Sequence, residues 1–244
     1  MTKYIMKRLL EIVPVLLIIT FVVFILVYHT GDPVSMMLPE DASHEERENL
    51  REALGLNDPF LVQYGNFLKN VFTGDFGISL RYNTEALPLV LERLPATFEL
   101  AGAAMIIALF ISIPLGVWSA NKRSSFVDLF ITGSSVLGKA MPNFWLGIML
   151  ILFFSVMIPI FPVSGRGTFM HLVLPAITLV PSTAAEMTRL VRSSMLDTLG
   201  QDYIRTALSK GASDRKIIYY HAFRNTLIPV LTITSLQLSI LVSG

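Results

Sequence analysis

The chain contains no cysteine, which removes disulfide frameworks, thiolate metal sites and cysteine nucleophiles together and leaves its redox compartment open. Charge is scarce as well. Asp, Glu, Lys and Arg make up 15% of the 244 residues, against about 25% in ordinary soluble domains. Nineteen Lys and Arg nearly cancel eighteen Asp and Glu, for a net charge of +1, so no basic excess points to a nucleic-acid partner. No Gly-x-x-x-x-Gly-Lys-Ser/Thr phosphate loop occurs; Gly138-Lys139-Ala140 and Lys210-Gly211-Ala212 lack the spacing that cradles phosphate on backbone N–H groups. The chain is therefore not expected to be its own ATPase or an enzyme. His29, His44, His171 and His221 stand singly, without the i, i+4 spacing of a helical metal site, so neither a metal centre nor a cofactor is expected. What is plentiful is apolar surface: 53% of residues are hydrophobic and the mean hydropathy is +0.62. That balance requires a bilayer.

A helix rising about 1.5 Å per residue needs about 20 mostly apolar residues to cross about 30 Å of hydrocarbon. Five stretches qualify: Leu9 to Tyr28, Phe98 to Ala120, Pro142 to Ile160, Leu172 to about Met187 with Pro175 and Pro181 inside, and a run from near Leu227 to Gly244. The uncharged run from Ile12 to Tyr28 reads as a retained anchor rather than a cleaved signal peptide, which would be shorter and end in small residues. The expectation is an all-α polytopic membrane protein in contact with lipid. Its parts are residues 1–30 (cytoplasmic end and first span), 31–95 (an extracytoplasmic loop domain) and 96–244 (the membrane core).

Orientation follows from the Lys/Arg bias of the connections. Lys3, Lys7 and Arg8 precede the first span, Lys122 and Arg123 follow the second, and seven basic residues from Arg189 to Arg224 lie between the fourth and fifth. These three segments alternate so as to share the cytoplasmic side, which places the N-terminus inside. The 31–95 segment carries five basic residues against eleven acidic ones and falls outside.

Two polar segments carry local order. In the outer one, Ser43-His44-Glu45-Glu46 has capping-box spacing, Gly55 can close the helix it opens, and Phe60 to Phe72 puts Leu61, Tyr64, Phe67, Leu68, Val71 and Phe72 on one stripe. That stripe serves to pack the loop on the membrane helices or to dock an external partner. In the inner one, about 188–225, a helical run over Asp197 to Lys210 is interrupted by Gly211, and a second helix is expected from Ala212 to Phe223. So short an element has no core of its own and must rest on the membrane interface or on a protein.

The inner segment also carries a resemblance. Ser193 through Ala212, with Asp202, Tyr203, Arg205, Thr206, Ala207, Lys210 and Gly211 inside it, followed by His221-Ala222-Phe223-Arg224-Asn225-Thr226-Leu227-Ile228-Pro229, resembles the ATPase-coupling loop of permease subunits of bacterial ATP-binding-cassette importers, in the dipeptide, oligopeptide and nickel branch. Arg205-Thr206-Ala207 stands where that family has Glu-Ala-Ala, and Leu227-Ile228-Pro229 arrives five positions late, as in the peptide branch. Gly74-Asp75-Phe76-Gly77-Ile78-Ser79, Arg93 through Leu100, Met141 through Gly147 and Phe161 through Gly165 resemble further motifs of that branch in its order. The resemblance implies a type I importer permease fold in the bacterial cytoplasmic membrane, with a sixth span beyond the five visible. It also implies a second homologous permease, two ATPase subunits and an extracytoplasmic solute-binding protein as partners, and a di- or oligopeptide cargo, with nickel or a nickel complex as the alternative.

An ion-coupled secondary transporter is the competing class. Such proteins keep carboxylates deep in the membrane, whereas Glu11, Glu99 and Glu186 all read as lying near span ends and Asp128 as preceding the third span. The membrane charge that stands out is Lys139, three residues before Pro142. It is a packing lysine or a contact for a peptide carboxylate. Lys139, with the helix breaks expected at Pro142-Asn143 and Pro181-Ser182, forms the candidate pathway set.

Overall fold

Inside hydrocarbon a backbone has only its own groups for hydrogen bonding, so apolar runs fold as helices. The computed structural model describes residues 2–39, 41–79, 81–82 and 84–243; Gly244, where the fifth apolar run ends, lies outside the described residues. The elements are α1 (Thr2–Thr30), α2 (Pro33–Met37), α3 (His44–Ala53), α4 (Phe60–Phe72), β1 (Ile78–Ser79), β2 (Thr84–Glu85), α5 (Ala86–Asn121), α6 (Phe126–Ala140), α7 (Asn143–Ile151), α8 (Phe169–Leu199), α9 (Asp202–Ser209), α10 (Asp214–Lys216) and α11 (Phe223–Ser243). Two π-helical segments, Leu152–Met157 and Ile217–Ala222, extend α7 and join α10 to α11. The chain divides into two compact units, Met1–Arg93 and Leu94–Gly244, with α5 running through the division.

The first unit is built on α1. Phe60, Tyr64 and Phe67 of α4 set their rings against Phe21, Phe24 and Tyr28 of α1 at centroid distances of 5.1–5.8 Å. The Tyr64 hydroxyl donates to the Leu17 carbonyl at 3.1 Å. Tyr64 and Phe67 of the expected α4 stripe thus pack on the apolar helix, while Leu61 and Phe72 stay exposed. The capping box forms: Glu46 N–H donates to Ser43 Oγ at 3.2 Å and Ser43 N–H to Glu46 Oε2 at 2.8 Å. These donors hold the Glu46 carboxyl below its ordinary pKa. Asp32 caps α2 by accepting from Val34 N–H at 3.1 Å and pairs with Arg51 of α3.

In the second unit α8 is the hub. Met187, Val191 and Met195 are fully buried along it. One cluster joins Val191 and Met195 to Val117, Ala120, Ala222 and Val230, and another joins Val180, Ala184 and Met187 to Met105 and Ala108. Gly116 lets α5 touch α8: a Cβ there would stand 2.6 Å from Val191 Cβ and 2.9 Å from the Thr188 carbonyl. Gly138 does the same for α6, where a Cβ would stand 3.2 Å from the Pro181 carbonyl.

Among the described residues four helices are long and apolar enough to cross a membrane, and a fifth candidate is the pair of Phe126–Ala140 with Asn143–Met157, bent by 91°. The structure differs from the sequence reading at four spans. The single third span expected over Pro142 to Ile160 is replaced by this bent pair. Asp128 and Lys139 concealed α6 as an apolar element, and both are paired inside the unit. The second span starts at Ala86 rather than Phe98, inside what read as the outer loop. The fourth does not stop at Met187. Helix α8 runs unbroken through Pro175 and Pro181 to Leu199 and carries Arg189 and Arg192 within it, so Pro181-Ser182 is no break. The second helix expected over Ala212 to Phe223 merges with the fifth span into one helix, Asp214–Ser243.

Candidate functional site

Three groups of residues come together, each placed by a different local rule. The first is the polar hairpin between α8 and α11. Gly200 ends α8, and α9 starts at Asp202. It ends in a Schellman closure, with Ala212 N–H donating to the Ala207 carbonyl at 3.1 Å and Gly211 N–H to the Leu208 carbonyl at 2.8 Å. Gly211 takes φ +80°, the left-handed conformation that a Cβ disfavours. Ile204 is the buried anchor of α9, and Asn225 Nδ2 donates to the Tyr203 hydroxyl at 2.8 Å, which ties α9 to the start of α11. Asp202, Arg205, Thr206 and Lys210 are exposed, whereas Ala207 and Ala212 are half-buried. Arg205 and Asp202 stand 3.7 Å apart, and Thr206 Oγ1 donates back to the Asp202 carbonyl at 3.0 Å. The element is one anchored face and one free face. It can receive a partner.

The second group joins three helices. Lys139 Nζ in the last turn of α6 donates to Glu186 Oε2 of α8 at 2.8 Å, and Gln237 Nε2 of α11 donates to the same oxygen at 2.8 Å. Lys139 therefore has a counter-charge within the chain. Glu186 lies well inside α8 rather than at a span end, because the helix continues to Leu199. The scarcity of deep carboxylates argued from sequence against an ion-coupled transporter does not hold for this residue. Pro142 caps α7 at the bend, Asn143 begins that helix, Pro181 faces Gly138, and Ser182 Oγ donates to the Leu179 carbonyl at 3.3 Å.

Sequence reasoning missed the partnership next to this group. Asp128, nearly fully buried, accepts from Arg192 Nε at 2.6 Å and Arg192 Nη2 at 2.7 Å, from Ser119 Oγ at 2.5 Å and from Ser124 N–H at 2.9 Å. A fork of two parallel bonds plus two further donors fills the carboxylate's acceptor sites. Two lone opposite charges in apolar surroundings, 64 positions apart, were the available signal.

The third group lies in the first unit. Gly74 and Asp75 follow α4; Asp75 Oδ1 accepts from Gly77 N–H at 2.9 Å, and Ser79 pairs with Thr84 in a short antiparallel ladder that leads into α5. Among the described residues no three His, Cys, Asp or Glu side chains converge on a metal position.

Residues 112–244 match the family model described as "Binding-protein-dependent transport system inner membrane component", and residues 1–101 match the model of the corresponding N-terminal region. The oligopeptide transport system permease protein AppB of Bacillus subtilis (strain 168) is 42% identical, aligned over 100% of this chain and 81% of its own length. The dipeptide transport system permease proteins DppB of Alkalihalophilus pseudofirmus and of Escherichia coli (strain K12) are 38% and 37% identical, each over 100% of this chain and 82% of their own.

Proposed function

Because the chain belongs to the family of binding-protein-dependent transport system inner membrane components, we infer that it is a multi-pass permease subunit of an ATP-binding-cassette importer that carries peptides. The single observation that carries the cargo class is the similarity, over 100% of this chain, to oligopeptide and dipeptide permeases. The family is one of transport permeases, not of enzymes, and its members work with ATPase and solute-binding partners.

In the finer reading, one second permease completes the pore and two ATPase subunits meet the α9 hairpin from the cytoplasm. Closure of the ATPase pair on ATP presses the free face of α9. Ile204 and the Tyr203–Asn225 bond pass that displacement to α8 and α11, which alternate the pathway between its two openings. Lys139, Pro142 and Asn143 at the bend, and Pro181 and Ser182 within α8, line that pathway. The motif at Gly74, Asp75, Gly77 and Ser79 belongs to the outer surface that the binding protein approaches.

Gly211→Val tests the coupling role. A Cβ at this φ costs roughly 1 kcal/mol or more, so the α9 closure distorts while the spans, which do not contain the residue, still insert. Near-normal membrane abundance, weakened ATPase co-purification and import near zero are expected; normal binding together with normal import would overturn the role. Orientation has its own test in a chain free of natural cysteine. Single cysteines placed at Glu48 and at Lys216 should label from the outside and the inside respectively, and labelling of both from one side would refute an internal N-terminus.

A further inference from the structure

The Lys139–Glu186 pair has an unusual position for an ion pair in an apolar bundle. Its side chains keep 49% and 36% of their accessible surface, although they sit between three helices of the membrane unit. Gln237, which orients the carboxylate, is almost fully buried behind it. Charges left open to hydrocarbon are costly, so such groups face a polar path or another protein. The surface leading away from the pair along α8 is polar at helical spacing: Thr178, Ser182, Glu186, Arg189, Ser193 and Asp197 are all incompletely covered. One helix face is thus apolar and packed while another is polar and open.

We propose that Lys139 and Glu186 form a subsite in the transport path that receives the two charged ends of a peptide, with Glu186 taking the α-ammonium and Lys139 the α-carboxylate. The assignment rests on the peptide-permease reading above. The pair carries one positive and one negative charge, so it complements a zwitterion. A cation alone would have to displace Lys139 and leave an ammonium without a partner, which the membrane penalises. When a peptide enters, one internal pair opens and two pairs form, and no net charge is left unbalanced. The dimensions agree. The ends of an extended dipeptide lie about 7 Å apart, at about 3.5 Å per residue; the long stem of Lys139 can swing from Glu186 to span that distance, while Gln237 holds the carboxylate in place. Side chains between the two ends are left to the wider path, which suits a carrier of many peptides.

The complete importer, with its partner subunits and binding protein, is reconstituted in proteoliposomes, and ATP-driven uptake of radiolabelled alanyl-alanine is measured per assembled complex. Glu186→Gln and Lys139→Gln are each expected to lower uptake at least tenfold. The decisive variant exchanges the charges, Lys139→Glu together with Glu186→Lys. It keeps an ion pair and so restores assembly if the singles impair it, yet it presents the ends in the wrong order, and uptake should remain below a tenth of wild type. Recovery of uptake to half of wild type or more would show that the pair only clamps α6 to α8 and would overturn the subsite. If the exchange does not assemble, Glu186→Asp decides: withdrawal of the carboxylate by one methylene should raise KM for uptake at least fivefold with little change in maximal rate, and an unchanged KM overturns the proposal. Wild-type vesicles are read first; absence of ATP-driven uptake there would overturn the peptide reading itself, independently of the variants.

Discussion

Asp32–Arg51 in the first unit and Asp128–Arg192 in the second are the same chemical pair in two settings. The first keeps 38% and 43% of its side-chain surface exposed, the second 7% and 28%. The helices beside them differ in the same sense, and against their hydropathy. None of the most apolar stretch of α1 is buried, whereas 33% of the corresponding stretch of α8, the least apolar of the four long helices, is buried. In water, apolar residues go inside; in lipid they are already at home on the outside, and association falls to close packing and internal polar bonds. The first unit therefore shows what anchoring needs, and the second what a bundle needs.

If close packing rather than apolarity holds the second unit, its weakest point is the one where two backbones nearly touch. Gly116→Leu should destabilise the bundle by roughly 4 kcal/mol, above the usual overpacking cost because a backbone carbonyl at Thr188 cannot yield. Thermal unfolding of the purified complex in detergent measures it. The matched change Val22→Leu on the exposed face of α1 should fall within about 0.5 kcal/mol, and a large effect there would break the contrast.

The pairs come next. Asp128→Asn leaves the Arg192 guanidinium beside a neutral amide and is expected to cost about 3 kcal/mol, the low end for a broken buried pair because Arg192 keeps some solvent. Adding Arg192→Met should recover most of that loss in a double-mutant cycle; additive losses would mean that the two residues act separately.

The smallest effect concerns the exposed pair. The hydrogen bond from Arg51 holds the Asp32 carboxyl below its usual pKa, helped by the Val34 N–H and opposed by partial desolvation. A carboxylate depressed in the folded state contributes stability above its unfolded pKa, near 3.9, and loses it as pH falls through the folded value. Amide protection factors in α2 and α3, taken relative to the intrinsic exchange rate at each pH, should accordingly be higher at pH 6 than at pH 2.5 in the wild type, with that difference reduced in Asp32→Asn. An equal pH response in the two proteins would remove the pair from the account.

The all-α polytopic class and the Gly211 turn were legible because each follows from a local rule, hydropathy over 20 residues or a positive φ closing a helix. So was the Ser43–Glu46 box. The break at Pro142-Asn143 was legible too, since proline marks it, whereas the α6 arm before it, the length of α8 and the pairing of Lys139 with Glu186 were not. Each depends on a residue far along the chain that neutralises a charge or fills the space at a glycine. A hydropathy window subtracts Asp128, Lys139, Glu186 and Arg192 as four separate penalties, whereas the fold removes them in two ion pairs. The Glu-Ala-Ala position occupied by Arg205-Thr206-Ala207 was legible only by resemblance, since nothing in helix propensity singles those residues out.

The prolines of α8 have a mechanical consequence. Pro175 and Pro181 supply no N–H to the carbonyls of His171 and Ile177, so this end of the helix flexes without giving up hydrogen bonds it never had. Beyond Pro181, Met187, Val191 and Met195 are locked on every side. The helix is thus a rod of uneven stiffness, compliant toward Phe169 and rigid toward Leu199. On the proposed coupling role of α9, a load entering there would reach Glu186 through the packed part of the helix, and the bending it causes would be taken up past that point.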